Sequence, residues 1–289
     1  MHRRAGSVLV LLALVAGCGD RDAGKTSAPT DVIAGTVPTS LITAPETTSA
    51  PITTTTAAPP TTVAPTTTAA PPTTTFPPVP DGAPARRISR GGNGRPYVAL
   101  SFDAGSDTGF AAQILDELAA DGVKASFGIT GKWAEKNPDL FRRIVAEGHH
   151  VINHTYDHSS MTGRATSRLP LSRDARVTEL RKADDVFVGL TGKSSKPWFR
   201  PPYGDLDGDL ERLLPTEGYS YELMWSLDSL GWQGLSARQI SSRCAGGIFP
   251  GAIFLFHVGS QSQDAAALAD IIAAIRAAGL QPGSILDVI

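Results

Sequence analysis

The chain has little cysteine, few aromatic residues and almost no net charge. Two cysteines in 289 residues exclude a disulfide scaffold and a Cys-rich zinc fold. A formal net charge of −2 supplies no basic field for a nucleic-acid duplex, so nucleic acid is not an expected partner. The apolar run from Ser7 to Val15 is too short to span a membrane comfortably. From Thr47 to Pro80 there is no charged residue at all, and Thr, Pro and Ala dominate. Such a stretch buries too little apolar surface to offset its ordering entropy. What remains is a segment of 198 residues, 92–289, with 19 Lys+Arg against 23 Asp+Glu. That is one domain, able to bury roughly 70% of its unfolded surface.

The chain start reads as an export signal. His2, Arg3 and Arg4 precede the apolar run, which ends in Val15-Ala16-Gly17-Cys18. This resembles the bacterial lipobox, which implies lipidation of Cys18 and residues 1–18 as a lipoprotein signal. An ordinary secretory signal with an incidental cysteine is the plainer alternative. Residues 19–91 are expected to be a disordered tether, spanning on the order of 50 Å as a coil or about 230 Å as a polyproline rod. Anchor and tether together place the domain outside the cytoplasm, attached to a membrane, within reach of wall polymers. No specific protein partner is indicated.

From Tyr97 the pattern becomes a strand–helix alternation. Strands are expected at Tyr97–Asp103, Val123–Ile129, Val151–Asn153, Trp198-Phe199, Tyr219–Leu227 and Ala252–Phe256. Helices are expected around Phe110–Leu118, Leu140–Val145, Asp174–Leu190, Leu210–Leu214, Ser236–Cys244 and Asp264–Ala278. Repeated strand–helix units imply a parallel sheet covered by helices. Polar groups recur where strands end: Asp103, His154, Arg200, Asp228 and His257. A β/α barrel gathers strand ends on one rim, so the pattern favours a barrel over an open sheet.

Histidine is the sharpest chemical signal. Five of the six histidines lie in the domain, and four fall within Gly148–His158. His154 and His158 are four apart, so on a helical turn they would share a face and hold one ion. His149 and His150 read as structural, and Cys244 as a buried thiol. Taken singly, each remaining group has a plain reading: Asp103 as a helix cap, Arg200 as a turn residue, His257 as a core histidine, Trp232 as packing.

The segments Ser101-Phe-Asp103-Ala-Gly105, His154-Thr-Tyr-Asp-His158, Arg200-Pro-Pro-Tyr-Gly204, Asp228-Ser-Leu-Gly-Trp232 and Leu255-Phe-His257 occur in this order. Together they resemble the five motifs of the polysaccharide deacetylase family, the NodB-type domain of carbohydrate esterase family 4. The resemblance implies an α/β fold, a deformed (β/α) barrel. It implies a hydrolase that removes N-acetyl or O-acetyl groups from polysaccharide with the help of a divalent metal, zinc first and cobalt or nickel next. His154 and His158 are then metal ligands, and Asp103 is the base, held by Arg200. The Tyr203 N–H faces the oxyanion, and His257 is the acid. Trp232 and Leu255 wall the acetyl pocket, and Asp228 stands with the catalytic groups.

Two acids of the family pattern are missing. Ala104 replaces the usual third metal ligand, and Gly231 replaces the carboxylate expected to orient the acid histidine. Asp107 is the leading substitute ligand, with Asp157 behind it. The other openings are two histidines with water, Asp103 as a ligand, or a site without hydrolysis. The rival functions are a silent glycan-binding module and an amide or imide hydrolase of small molecules.

Overall fold

The structure is a computed structural model that describes residues 79–92 and 94–289. The export signal, Cys18 and most of the tether lie outside the described residues. No helix among the described residues is long and apolar enough to cross a membrane.

Among the described residues, nine strands form one parallel sheet. They are β1 (Arg86–Ile88), β2 (Tyr97–Ala104), β3 (Ser126–Ile129), β4 (His150–Asn153), β5 (Trp198–Phe199), β6 (Tyr221–Leu223), β7 (Leu227–Asp228), β8 (Ile253–His257) and β9 (Gln281–Gly283). Their order is β1-β6-β5-β4-β3-β2-β8-β7, with β9 also paired to β2. No pairing joins β1 to β7, so the curled sheet is a half-barrel and not a closed one. The helices are α1 (Ala111–Ala120), α2 (Gly131–Lys136), α3 (Pro138–Ala146), α4 (Arg173–Thr191), α5 (Gly208–Thr216), α6 (Ala237–Ala245), α7 (Asp264–Ala277) and α8 (Ile285–Val288).

The pattern of β2 explains its place. It is buried on both faces after its first residue, as expected of a central strand in a covered parallel sheet. Val98, Leu100, Phe102 and Ala104 enter the larger apolar cluster with Ile114, Leu115 and Leu118 of α1 and Leu268, Ile271 and Ile275 of α7. Phe102 stacks between Phe127 (5.3 Å) and Phe256 (5.2 Å). Truncating such a ring to alanine costs about 3–5 kcal/mol. Ser101 and Asp103 alternate onto the opposite face, where the sheet curls around the site.

Residues 86–88, expected to be tether, belong instead to the folded domain. Arg86 N–H donates to the Ser220 carbonyl (2.9 Å), and Arg87 Nε donates to Glu222 Oε2 (3.1 Å). A three-residue strand is too short to show an alternation in sequence. Residues 219–227 divide into β6 and β7, and β9, α2 and α8 were not visible in the pattern. Cys244 is buried and free, and burial pushes its thiol up to about 12, so it stays protonated.

Candidate active site

The five polar groups read from the strand ends lie together at the carboxyl edge of the sheet. Asp103 is the penultimate residue of β2 and the register partner of His257, which ends β8. His154 follows β4, and Arg200 follows β5. A cavity of about 470 Å³ opens there. Its walls include Asp103, His154, His158, Tyr203, Asp228, Trp232, Leu255 and His257. Arg200 lies behind the wall, fully buried.

The Asp103 carboxylate is held from one side by Arg200, whose Nη1 donates to Oδ1 at 2.7 Å. Arg200 Nε donates to the Leu223 carbonyl (2.9 Å), which fixes the guanidinium. Burial alone would raise the Asp103 carboxyl. The Arg200 guanidinium, through its charge and its hydrogen bond, is the foremost influence against burial, and the carboxyl is held below the usual carboxylate range. Asp103 is therefore an ionised, buried carboxylate facing a cavity. Room for it comes from Gly128 on β3. A β-carbon at 128 would lie 2.2 Å from Asp103 Oδ1. The sequence reading passed over this glycine, because only the register Asp103↔Gly128 gives it meaning.

The histidine pair meets, but not on a helix as expected. Residues 154–158 form a loop after β4, with Thr155 at φ 66° and His158 at φ 68°. Left-handed backbone at bulky residues costs energy and clusters at functional sites. It brings the two rings edge to face at 4.9 Å. Gly105 makes space for this, since a β-carbon there would lie 2.7 Å from His158 Cδ2. The His158 ring also packs on Tyr203 at 4.7 Å. His154 Nδ1 donates to the Arg200 carbonyl (2.9 Å), so in the neutral ring Nε2 is the lone pair. That lone pair faces Asp103 Oδ2 at 3.5 Å, two acceptors across a gap that suits a donor or a cation. Burial lowers both imidazoles, His158 to about 3, and keeps them neutral.

The expected third ligand does not join them. Asp107 Oδ1 accepts from Ser260 N–H (2.9 Å), and Oδ2 accepts from the Ser260 hydroxyl. This pins Asp107 to the loop after β8. Asp157 accepts from its neighbour Ser159 and pairs with Lys132 (3.5 Å). Ala104 packs into the apolar layer. Among the described residues, no three His, Cys, Asp or Glu side chains are grouped to hold an ion. The donor set falls short of the three-ligand zinc site that the resemblance implies.

On the far wall, Asp228 lines the cavity with Trp232, Leu255 and His257. Asp228 does not meet His257. Its carboxylate accepts from the Leu230 N–H (2.9 Å) and the Trp232 indole (3.2 Å), bracing the turn and the tryptophan. The carboxylate next to His257 is Asp264, at the start of α7. Its Oδ2 accepts the His257 N–H at 2.7 Å and lies 4.0 Å from His257 Nδ1. The only sequence signal for it was an acid opening the last helix, seven residues after His257. His149 and His150 pack structurally, as expected. Ala125 N–H donates to His149 Nδ1 (3.1 Å), and His150 Nδ1 meets the Ser126 hydroxyl at 3.1 Å.

A family profile described as polysaccharide deacetylase matches residues 90–221. A chitooligosaccharide deacetylase of Sinorhizobium fredii is 32% identical over 174 residues, covering 60% of this chain and 77% of that protein. The chain belongs to the polysaccharide deacetylase family. A peptidoglycan-N-acetylglucosamine deacetylase of Bacillus cereus is 37% identical over 162 residues, and this deacetylase-family chain spans 55% of that relative's length, with 55% of itself covered. Among solved structures, a carbohydrate esterase family 4 pseudoenzyme from Bacillus anthracis superposes with a TM-score of 0.63 at 26% identity, over 70% of this chain and 68% of the other. The half-barrel is thus the family fold, and proteins named as deacetylases as well as a pseudoenzyme resemble this chain.

Proposed function

We propose that this chain hydrolyses acetyl groups, N-linked or O-linked, from extracytoplasmic polysaccharide, with peptidoglycan the leading substrate. One observation carries the reading. An ionised carboxylate, Asp103, and an imidazole, His257, are register partners that open on a single cavity. A module that only binds sugar has no need of a paired base and acid. In this reading Asp103 takes a proton from water as the oxygen bonds to the acetyl carbonyl carbon. The Tyr203 N–H, on a left-handed turn at φ 62°, is assigned to the oxyanion. His257 then gives a proton to the leaving nitrogen, the C–N bond breaks, and acetate and a free amine result.

The cavity mouth supports a sugar substrate. Tyr203 and Trp232 are 55% and 53% exposed, large rings open to solvent where a sugar face would pack. Lipid attachment at Cys18 and the Thr/Pro tether would carry the site to the wall.

The test is acetate release from peptidoglycan and chitin oligomers, without added metal and with Zn²⁺ or Co²⁺. Wild type should release acetate, and Asp103→Asn should release about 10²–10⁴-fold less. No release by wild type under any of these conditions overturns hydrolysis. It would favour a silent glycan-binding module, the reading that the two-histidine donor set and the pseudoenzyme likeness support.

A further inference from the structure

Positions 231 and 264 compete for one volume. A β-carbon at Gly231 would lie 2.6 Å from Asp264 Oδ1 and 2.2 Å from Ser262 Oγ. The space in front of the glycine is already filled by a carboxylate from α7. Asp264 is completely buried. Its Oδ2 accepts from His257 N–H (2.7 Å) and from the Ser229 hydroxyl (3.1 Å). Its Oδ1 is buried and has no hydrogen-bond partner, and the same is true of His257 Nδ1. The orphaned His257 Nδ1 thus lies 4.0 Å from Oδ2 of a carboxylate whose other oxygen is itself unpartnered.

We propose that Asp264 is the positioning residue for His257, and that it takes over, from 33 residues downstream, the place of the carboxylate absent at Gly231. This rests on the reading of His257 as the acid. Burying an unpartnered imidazole nitrogen is costly, so a modest ring rotation that brings Nδ1–H onto the Asp264 carboxylate is favourable. Hydrogen bonds of this kind are often long before substrate binds. With Nδ1–H donated to Asp264, the ring is held in one orientation; in the imidazolium Nε2–H is the proton that passes to the leaving nitrogen, and the neutral ring left behind is the Nδ1–H tautomer. Asp264 also lies in the first turn of α7, where a carboxylate is favourable near the helix start. Gly231 follows as a consequence, since a side chain there would evict Asp264.

A structural role at the helix start would not follow the location of the carboxylate, so the test moves it. The nitrogen-15 spectrum of histidine-labelled wild type should show His257 as the Nδ1–H tautomer. Asp264→Asn should lose that signature and lower kcat by about 10–100-fold, with KM little changed. The double variant Gly231→Asp/Asp264→Ala returns a carboxylate to the same volume, the Ser262 hydroxyl rotating aside. It should regain the tautomer and most of the lost kcat. Unchanged tautomer and kcat in Asp264→Asn would overturn the proposal, as would failure of the folded double variant to recover either. Should Asp264→Asn not fold, the double variant decides alone. The tautomer is read without turnover, so inactivity of the wild type would sink the hydrolase reading while leaving this one testable.

Discussion

The two walls of the cavity hold their charged groups in different ways. On the base wall, Asp103 and Arg200 stand where their motifs place them and meet directly at 2.7 Å. On the acid wall, the motif supplies a glycine, its remaining aspartate braces Trp232, and the carboxylate near His257 arrives from α7. The base wall is local in motif terms. The acid wall is defined by a volume that either of two distant positions could fill. A carboxylate lost from a motif is therefore not a carboxylate lost from the site.

The largest effect is expected from breaking the base wall. Arg200→Leu leaves Asp103 buried without its cation and should destabilise the domain by about 3–5 kcal/mol, read as a lower urea midpoint. The two crowded glycines sharpen the contrast. Gly128→Ala drives a methyl into Asp103 Oδ1, and Gly231→Ala drives one into Asp264 Oδ1. Each should cost about 1–3 kcal/mol by overpacking in thermal melts. Trimming Asp264 to alanine should relieve the second. The first has no relief that keeps the base.

The histidines divide along the same line, those that face the cavity and those that pack beneath it. His150 lies beneath, and burial lowers it from 6.5 to about 3. The unfolded chain binds this proton and the folded one does not, so stability rises with pH across that window. The contribution is complete above 6.5 and fades as pH falls toward 3. Replacing His150 with Gln should remove about one proton from the acid-side slope of stability against pH. The smallest effect is expected at the mouth. Trp232→Ala should change stability by about 0.5 kcal/mol or less, since the ring is half exposed, while raising KM for oligosaccharide.

Most of the site was legible in the sequence because its residues end strands. Parallel strands deliver their last residues to one edge whatever the loops do, so Asp103, Arg200 and His257 converge once the sheet forms. The histidine pair was legible as a pair but not as a conformation. Its spacing suggested a helical turn, whereas Thr155 and His158 adopt left-handed backbone that spacing does not encode. Asp107 is not grouped with the histidine pair, because proximity in a loop says nothing about hydrogen-bond partners. Ser260, far along the chain, had already claimed its carboxylate.

The sequence by itself determined the parallel α/β class, the order of the motifs, the scarcity of thiolate ligands and the choice of Asp103 and Arg200 as candidate partners. These depend on residue type and on periodicity along one chain. Tertiary structure alone decided that the barrel stays half open, that residues 86–88 belong to the sheet, that Gly128 makes room for Asp103, and that Asp264 fills the space before Gly231. Each of these turns on which atoms share a volume, and excluded volume between residues distant in sequence exists only once the chain has folded.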